Sequence, residues 1–189
     1  MIGQVQTDFE STKGRGMKRR RKLIAGAAVV ALFVGVTAHS AVMNILAVGT
    51  TTYSEVINGP ATLTFRQLLM DPGEVSGWHY HPGTLISVVK RGTVAVEDGC
   101  GGEDPHNTGE AFEAVGERVH RAKAGGEQLE EFNLFITPQG MMPTVQVPEK
   151  RCGPPVSRQE CKRDGWRDFD HPRRFANQGD CIEFVRRQQ

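Results

Sequence analysis

Residues 49–148 of the sequence predict an all-β fold, a two-sheet sandwich or jelly roll, and three observations carry that expectation. Eight short segments alternate apolar with polar residues or run as brief apolar stretches rich in β-branched side chains. Turn-forming residues separate them, and no segment of helical period is long enough to cover a sheet. The 22 glycines and 10 prolines among 189 residues fit many turns and few long helices. With 38% apolar residues, the chain can bury one core of ordinary size, so one domain with appendages is expected.

The first appendage is residues 1–41. From Met17 a basic run, MKRRRK, is followed by LIAGAAVVALFVGVTA, the layout of a secretory signal. Cleavage after Ala38 or near Ala41 is one outcome. An uncleaved membrane anchor is the other, because the apolar stretch can be extended from Val42 to Val48 across His39 and Asn44. Either outcome places the chain outside the cytoplasm, secreted or attached to the cell envelope. Residues 1–16 are polar and aperiodic, which makes Met17 a second candidate for the start.

The expected strands follow in order: TYSEVI, ATLTFRQLL, GWHYH, LISVVK, GTVAVED, EAFEAV, RVHRAKA and EEFNLFITP. Between them lie Asn58-Gly59-Pro60, Asp71-Pro72-Gly73, His81-Pro82-Gly83 and Arg91-Gly92, with a long loop from Asp98 to Gly109. After Pro143 the alternation stops and the composition shifts to Pro, Cys, Arg and Lys, so 149–189 reads as a loop-rich tail.

Charge is segregated along the chain. Residues 1–22 carry seven Lys or Arg against two Asp or Glu, and residues 150–189 carry ten against six, whereas 23–149 carry six against fourteen. A central domain of net charge −8 repels phosphate backbones, and nucleic acid is excluded as its partner. The four cysteines, Cys100, Cys152, Cys161 and Cys181, are even in number, widely spaced and without a CxxC pair, which favours disulfides and an oxidising compartment. A Cys100–Cys152 bridge would pin the start of the tail to the barrel. A Cys161–Cys181 bridge would close a loop of about twenty residues, contributing about 3 kcal/mol.

GEVSGWHYHPGTLISVVKRG carries the chemistry. On a strand, residues i and i+2 face the same way, so His79 and His81 project into one space with Tyr80 opposite. Two imidazoles so placed suit a divalent transition metal, Fe, Zn, Mn or Ni, and His120 on a neighbouring segment is the natural third donor. The plain alternative is that these histidines are hydrogen-bonding pocket walls without a metal.

These residues resemble the first motif of the cupin superfamily. Gly73 is followed by five residues and His79-x-His81, three further residues lead to position 85, and six more to Gly92. The departure is Leu85, which stands where the family has Glu. The second motif maps onto Gly109 and His120, with Val115, Glu117 and Ala124 in place of its Pro, Gly and Asn. The resemblance covers residues 50–143 and implies a double-stranded β-helix, a jelly-roll barrel, with three neutral histidines as metal ligands and no motif-one carboxylate. It is similar to the three-histidine cupins, among them dioxygenases, and it allows a homodimer. Glu113 and Glu117 are candidate replacement carboxylates.

If Leu85 points inward, Ser87 and Val89 share its face, as Ala122 and Ala124 share that of His120. The pocket is then apolar and small-walled, with Phe132 and Trp78 at its mouth, which favours a small organic ligand over a sugar or phosphate. Two functions follow: a metal-dependent, dioxygenase-like oxidoreductase, or a non-catalytic extracytoplasmic module that binds a metal or small ligand.

Overall fold

The structure is a computed structural model that describes residues 41–114 and 117–188. The expected signal segment lies outside the described residues. Ten strands form: β1 (Val42–Ser54), β2 (Gly59–Met70), β3 (His79–Tyr80), β4 (Thr84–Arg91), β5 (Thr93–Asp98), β6 (Glu103–Asn107), β7 (Ala111–Ala114), β8 (His120–Ala124), β9 (Leu129–Pro138) and β10 (Val145–Gln146). They pair antiparallel into two five-stranded sheets, in the orders β1-β2-β9-β4-β7 and β10-β3-β8-β5-β6. Two such sheets with their inner faces opposed make the jelly-roll barrel that the alternation predicts.

Chain reversals are set by residues that tolerate a left-handed backbone. Gly92, between β4 and β5, has φ +79, and a Cβ there would sit 2.8 Å from the Gln128 carbonyl oxygen, so any side chain would force the turn open. Asn58 supplies φ 54 before β2.

One end of the barrel closes around Leu68, Met70, Val89, Val94, Ala124 and Leu129, each buried and drawn from both sheets. Removing this much apolar surface from water is the main term holding the sheets together, roughly 2 kcal/mol for each fully buried large side chain.

Three regions differ from the sequence expectation. Residues 42–48, offered as an extension of an apolar anchor, are the first half of β1 and pair with β2 from Val42↔Leu69 onward. Among the described residues no helix is long and apolar enough to cross a membrane. The loop from Asp98 to Gly109 contains β6, a polar edge strand that hydrophobic alternation cannot reveal. Its turn is fixed by the Asp98 carboxylate, which accepts from the Cys100 and Gly102 amides at 2.9 and 2.7 Å.

The tail is the third difference, because it has a core of its own. A 3₁₀ turn (Gly165–Arg167) and helix α1 (Gln178–Arg186) enclose Cys161, Phe169, Phe175, Cys181 and Val185. Asn177 caps α1 through its side chain, accepting from the Asp180 amide. The disulfides are Cys100–Cys152 and Cys161–Cys181. The first joins the β5–β6 turn to the tail, whose Gly153 carbonyl accepts from the Val119 amide at 2.8 Å. Arg118 then bridges Asp98 of the barrel and Glu160 of the tail, at 2.9 Å to each.

Candidate metal centre

The histidines meet for reasons of register. His79 on β3 stands directly opposite His120 on β8, which brings two side chains on one face to a Cβ separation of about 5 Å. His81 follows two residues after His79 and points the same way. The three ring centroids lie 4.6, 4.9 and 5.1 Å apart, and one nitrogen from each ring falls within 4.8 Å of the others.

A backbone carbonyl fixes each ring's orientation. Gly77 accepts from His79 Nδ1 at 2.8 Å, Pro143 from His81 Nδ1 at 2.7 Å, and Arg118 from His120 Nδ1 at 2.8 Å. A carbonyl can only accept, so all three Nδ1 atoms carry the proton and all three Nε2 atoms keep a lone pair. Burial pushes His79 down to about 4, with the neighbouring His120 adding to the effect. The same two causes push His81 to about 2, and burial also lowers His120. At neutral pH the cluster is uncharged, the protonation state that metal ligation requires. Donor type, number, tautomer and outer-shell partners all fit a three-histidine metal site.

The cluster borders an interior cavity with two lobes that share His81, Val96, Phe112, Ala114 and His120. One lobe, about 330 Å³, opens between β5, β6 and β7; the other, about 370 Å³, runs under β2, β4 and β9. Leu85 and Ser87 are buried and line the second lobe, with Ala122 across from them. Among the described residues no carboxylate joins the histidine cluster, and Glu113 and Glu117 are exposed.

Phe132 is a correction. It is 38% exposed on the outer face of β9, beneath the Lys90 ammonium, and lines neither lobe. Trp78 also lines neither lobe and stacks under Arg121. From Glu131 onward β9 alternates in the opposite phase, with Glu131, Asn133, Phe135 and Thr137 buried, and Phe135 packs against His81 with ring centroids 5.1 Å apart.

That phase puts polar groups into the pocket, which is therefore not the apolar enclosure the sequence suggests. Arg66 on β2, Asn133 on β9 and Ser87 on β4 stand side by side in one cross-strand row. Arg66 Nε and Nη2 both donate to Asn133 Oδ1, at 3.1 and 3.0 Å. Asn133 Nδ2 donates to Ser87 Oγ at 2.8 Å and to Glu131 Oε2 at 3.2 Å. Burial pushes Arg66 down to about 10, with Glu131 opposing the shift. Glu131 is 3% exposed, burial raises its carboxyl, and its Oε1 has no hydrogen-bond partner. The sequence signal for this wall was the polar phase of EEFNLFITP and an arginine inside an otherwise apolar strand.

No family model matches the sequence, and no curated protein matches it. Solved structures similar to it include a cupin-like protein of Thermotoga maritima, 21% identical, covering 57% of this chain and 75% of that one at a TM-score of 0.44. A cupin superfamily protein of Desulfitobacterium hafniense is 10% identical over 52% of this chain and 78% of its own, at 0.41. A conserved protein of Klebsiella pneumoniae with a double-stranded β-helix domain is 16% identical over 60% and 89%, at 0.44. These scores lie below 0.5, so the fold assignment rests on strand order and register. The two five-stranded antiparallel sheets make a jelly-roll barrel of the kind the sequence resemblance implies, and His79, His81 and His120 bring one ligand nitrogen each close enough to hold a single ion.

Proposed function

We propose that this is an exported protein that holds one divalent transition metal, Fe, Zn, Mn or Ni, through the Nε2 atoms of His79, His81 and His120 and presents it to a small molecule in the cavity. The observation that carries the reading is the commitment of all three Nδ1 atoms to backbone carbonyls, which leaves three convergent, uncharged donors. A bound ion would supply Lewis acidity and, if it is iron, the redox chemistry that a dioxygenase-like oxidation uses. The chain's own contribution is positional. Carbonyls hold the rings, Leu85 keeps a carboxylate out of the ligand set, and apolar side chains of both sheets limit water around the donors. Two disulfides support an oxidising, extracytoplasmic location.

A non-catalytic module that binds a metal or a small ligand is the second reading. It is favoured by the absence, among the described residues, of any carboxylate within the histidine cluster to act as a proton acceptor there.

Elemental analysis of purified protein tests the metal. One ion per chain is expected in the wild type, falling to a small fraction of that in His81→Ala while the fold persists by circular dichroism. A wild type that takes up no metal, or a His81→Ala variant with unchanged content, overturns the reading. Oxygen uptake by iron-loaded protein across a panel of small organic substrates separates the enzyme from the binding module.

A further inference from the structure

The second lobe contains a cation with no carboxylate in contact. Among the described residues no Asp or Glu forms an ion pair with Arg66, and Glu131, two residues along β9 from Asn133, is linked to it through the Asn133 amide. Glu131 is also a weak counter-charge, because burial favours its neutral form. The other acid of this lobe, Glu74, is spent on the Asp71 amide.

The guanidinium's donors divide unevenly. Its Nε/Nη2 edge is consumed by Asn133 Oδ1, whereas Nη1 meets only the Met43 sulfur at 3.3 Å, a weak acceptor. With the guanidinium face covered by the Phe135 ring at 4.5 Å, Nη1 is left with one unspent N–H and one that meets only a thioether, and Nη2 with one unspent N–H, so the Nη1/Nη2 edge can receive a carboxylate in bidentate fashion. Met43 and Arg66 both line the lobe that also contains His79, His81 and His120.

We propose that the cavity receives a small organic anion whose carboxylate is held by the Nη1/Nη2 edge of Arg66, with the rest of the molecule extending toward the three histidines. The other lobe favours this orientation, since Glu103, Asp104 and Glu113 line it while its one arginine, Arg118, is already paired with Asp98 and Glu160, which leaves the lobe net acidic toward a carboxylate. A volume of about 370 Å³ suits an acid of a few carbons or a single ring. The proposal deepens the metal reading by naming the ligand class, but the anion site itself belongs to Arg66 and stands without a metal.

The test uses propionate and its uncharged isostere propionamide, titrated calorimetrically into full-length protein of known metal content, wild type and Arg66→Gln. Wild type is expected to bind propionate at least ten times more tightly than propionamide, and Arg66→Gln to lose that preference, the two ligands then binding with similar affinity. Arg66→Lys keeps the charge without the fork and should retain the preference with a several-fold weaker propionate affinity. It provides the comparison if Arg66→Gln does not fold. Equal affinities in wild type, no saturable propionate binding, or an undiminished preference and affinity in the folded Arg66 variants overturns the proposal. The last of these would assign the anion to the metal and leave the metal reading intact. Metal-free protein that cannot be loaded, yet still prefers propionate through Arg66, would instead sink the metal reading and keep this one.

Discussion

The two inner walls of the barrel solve the burial of polar groups in opposite ways. On the β3–β8 wall, three imidazoles donate to carbonyls of their own sheet or the adjoining chain, carry no charge, and leave three lone pairs converging. On the β2–β9–β4 wall, Arg66, Asn133, Ser87 and Glu131 bond to one another, carry charge, and leave one carboxylate oxygen unmatched. Backbone acceptors are fixed by the fold and cost little further ordering. A side-chain network must order every member and is exposed to the loss of any one of them. The first wall is thus a rigid donor set, and the second is a tunable surface whose unspent groups await a partner.

Placing a carboxylate on the apolar part of the β2–β9–β4 wall, in the lobe that also contains the three histidines, should break this contrast most sharply. Leu85, 5% exposed, occupies the position where the cupin resemblance expects a glutamate and lines the lobe with the three histidines. Leu85→Glu buries a carboxyl group that metal-free protein must either protonate or leave as an unpaired charge, and a loss of about 4 kcal/mol is expected in denaturant unfolding. Zinc should restore a large part of that loss, so the stabilisation gained on adding zinc should be greater in the variant than in the wild type. A variant whose stability ignores zinc would show that position 85 lies beyond reach of the metal.

Asn133→Ala attacks the opposite wall at its hub. The change leaves the Arg66 Nε/Nη2 edge, Ser87 Oγ and Glu131 Oε2 without their shared partner. About 3 kcal/mol of destabilisation is expected, from unpaired buried polar groups and the cavity left behind. Metal content should not change, because no histidine bonds to Asn133. A parallel loss of metal would mean that the two walls are mechanically one unit.

The walls also differ in how far the sequence announced them. The histidine site is specified by short-range rules: the i, i+2 alternation of His79 and His81, the turn at Gly92, and one long-range pairing that put His120 on the facing strand. The first two rules are local and the motif spacing supplied the third, so the residues could be read in order. The polar wall depends on the phase of β9, and a strand reading EEFNLFITP has two self-consistent phases. Apolar content favours Phe132, Leu134 and Ile136 inward, whereas the fold turns Glu131, Asn133 and Phe135 inward, because a row with Arg66 and Ser87 satisfies them. That choice is made by partners 46 and 67 residues away, which no local pattern encodes. The β6 edge strand shows no hydrophobic period, and helix α1 shows one, Cys181, Ile182, Phe184 and Val185, over only nine residues, too short to stand out from a loop-rich tail. Pairing with β5 makes the strand, and a disulfide with a few aromatic contacts makes the helix.

The smallest expected effect concerns Glu131 alone, and its sign can be derived. Burial raises the carboxyl of the folded protein above its value in the unfolded chain. Folded molecules therefore bind more protons than unfolded ones at pH values between the two, and stability falls as pH rises through that interval. Wild type is penalised at pH 7 and not below about pH 4, under the unfolded carboxylate's value of about 4.3. Glu131→Gln keeps the side-chain size and an oxygen for Asn133 Nδ2 but removes the titration. The variant should be more stable than wild type at pH 7, and the advantage should vanish near pH 4. If Arg66 instead holds Glu131 ionised in the folded protein, the variant is the less stable one at pH 7. Urea unfolding at the two pH values distinguishes these cases, and the second would make Arg66 a paired cation and weaken its claim on an organic anion.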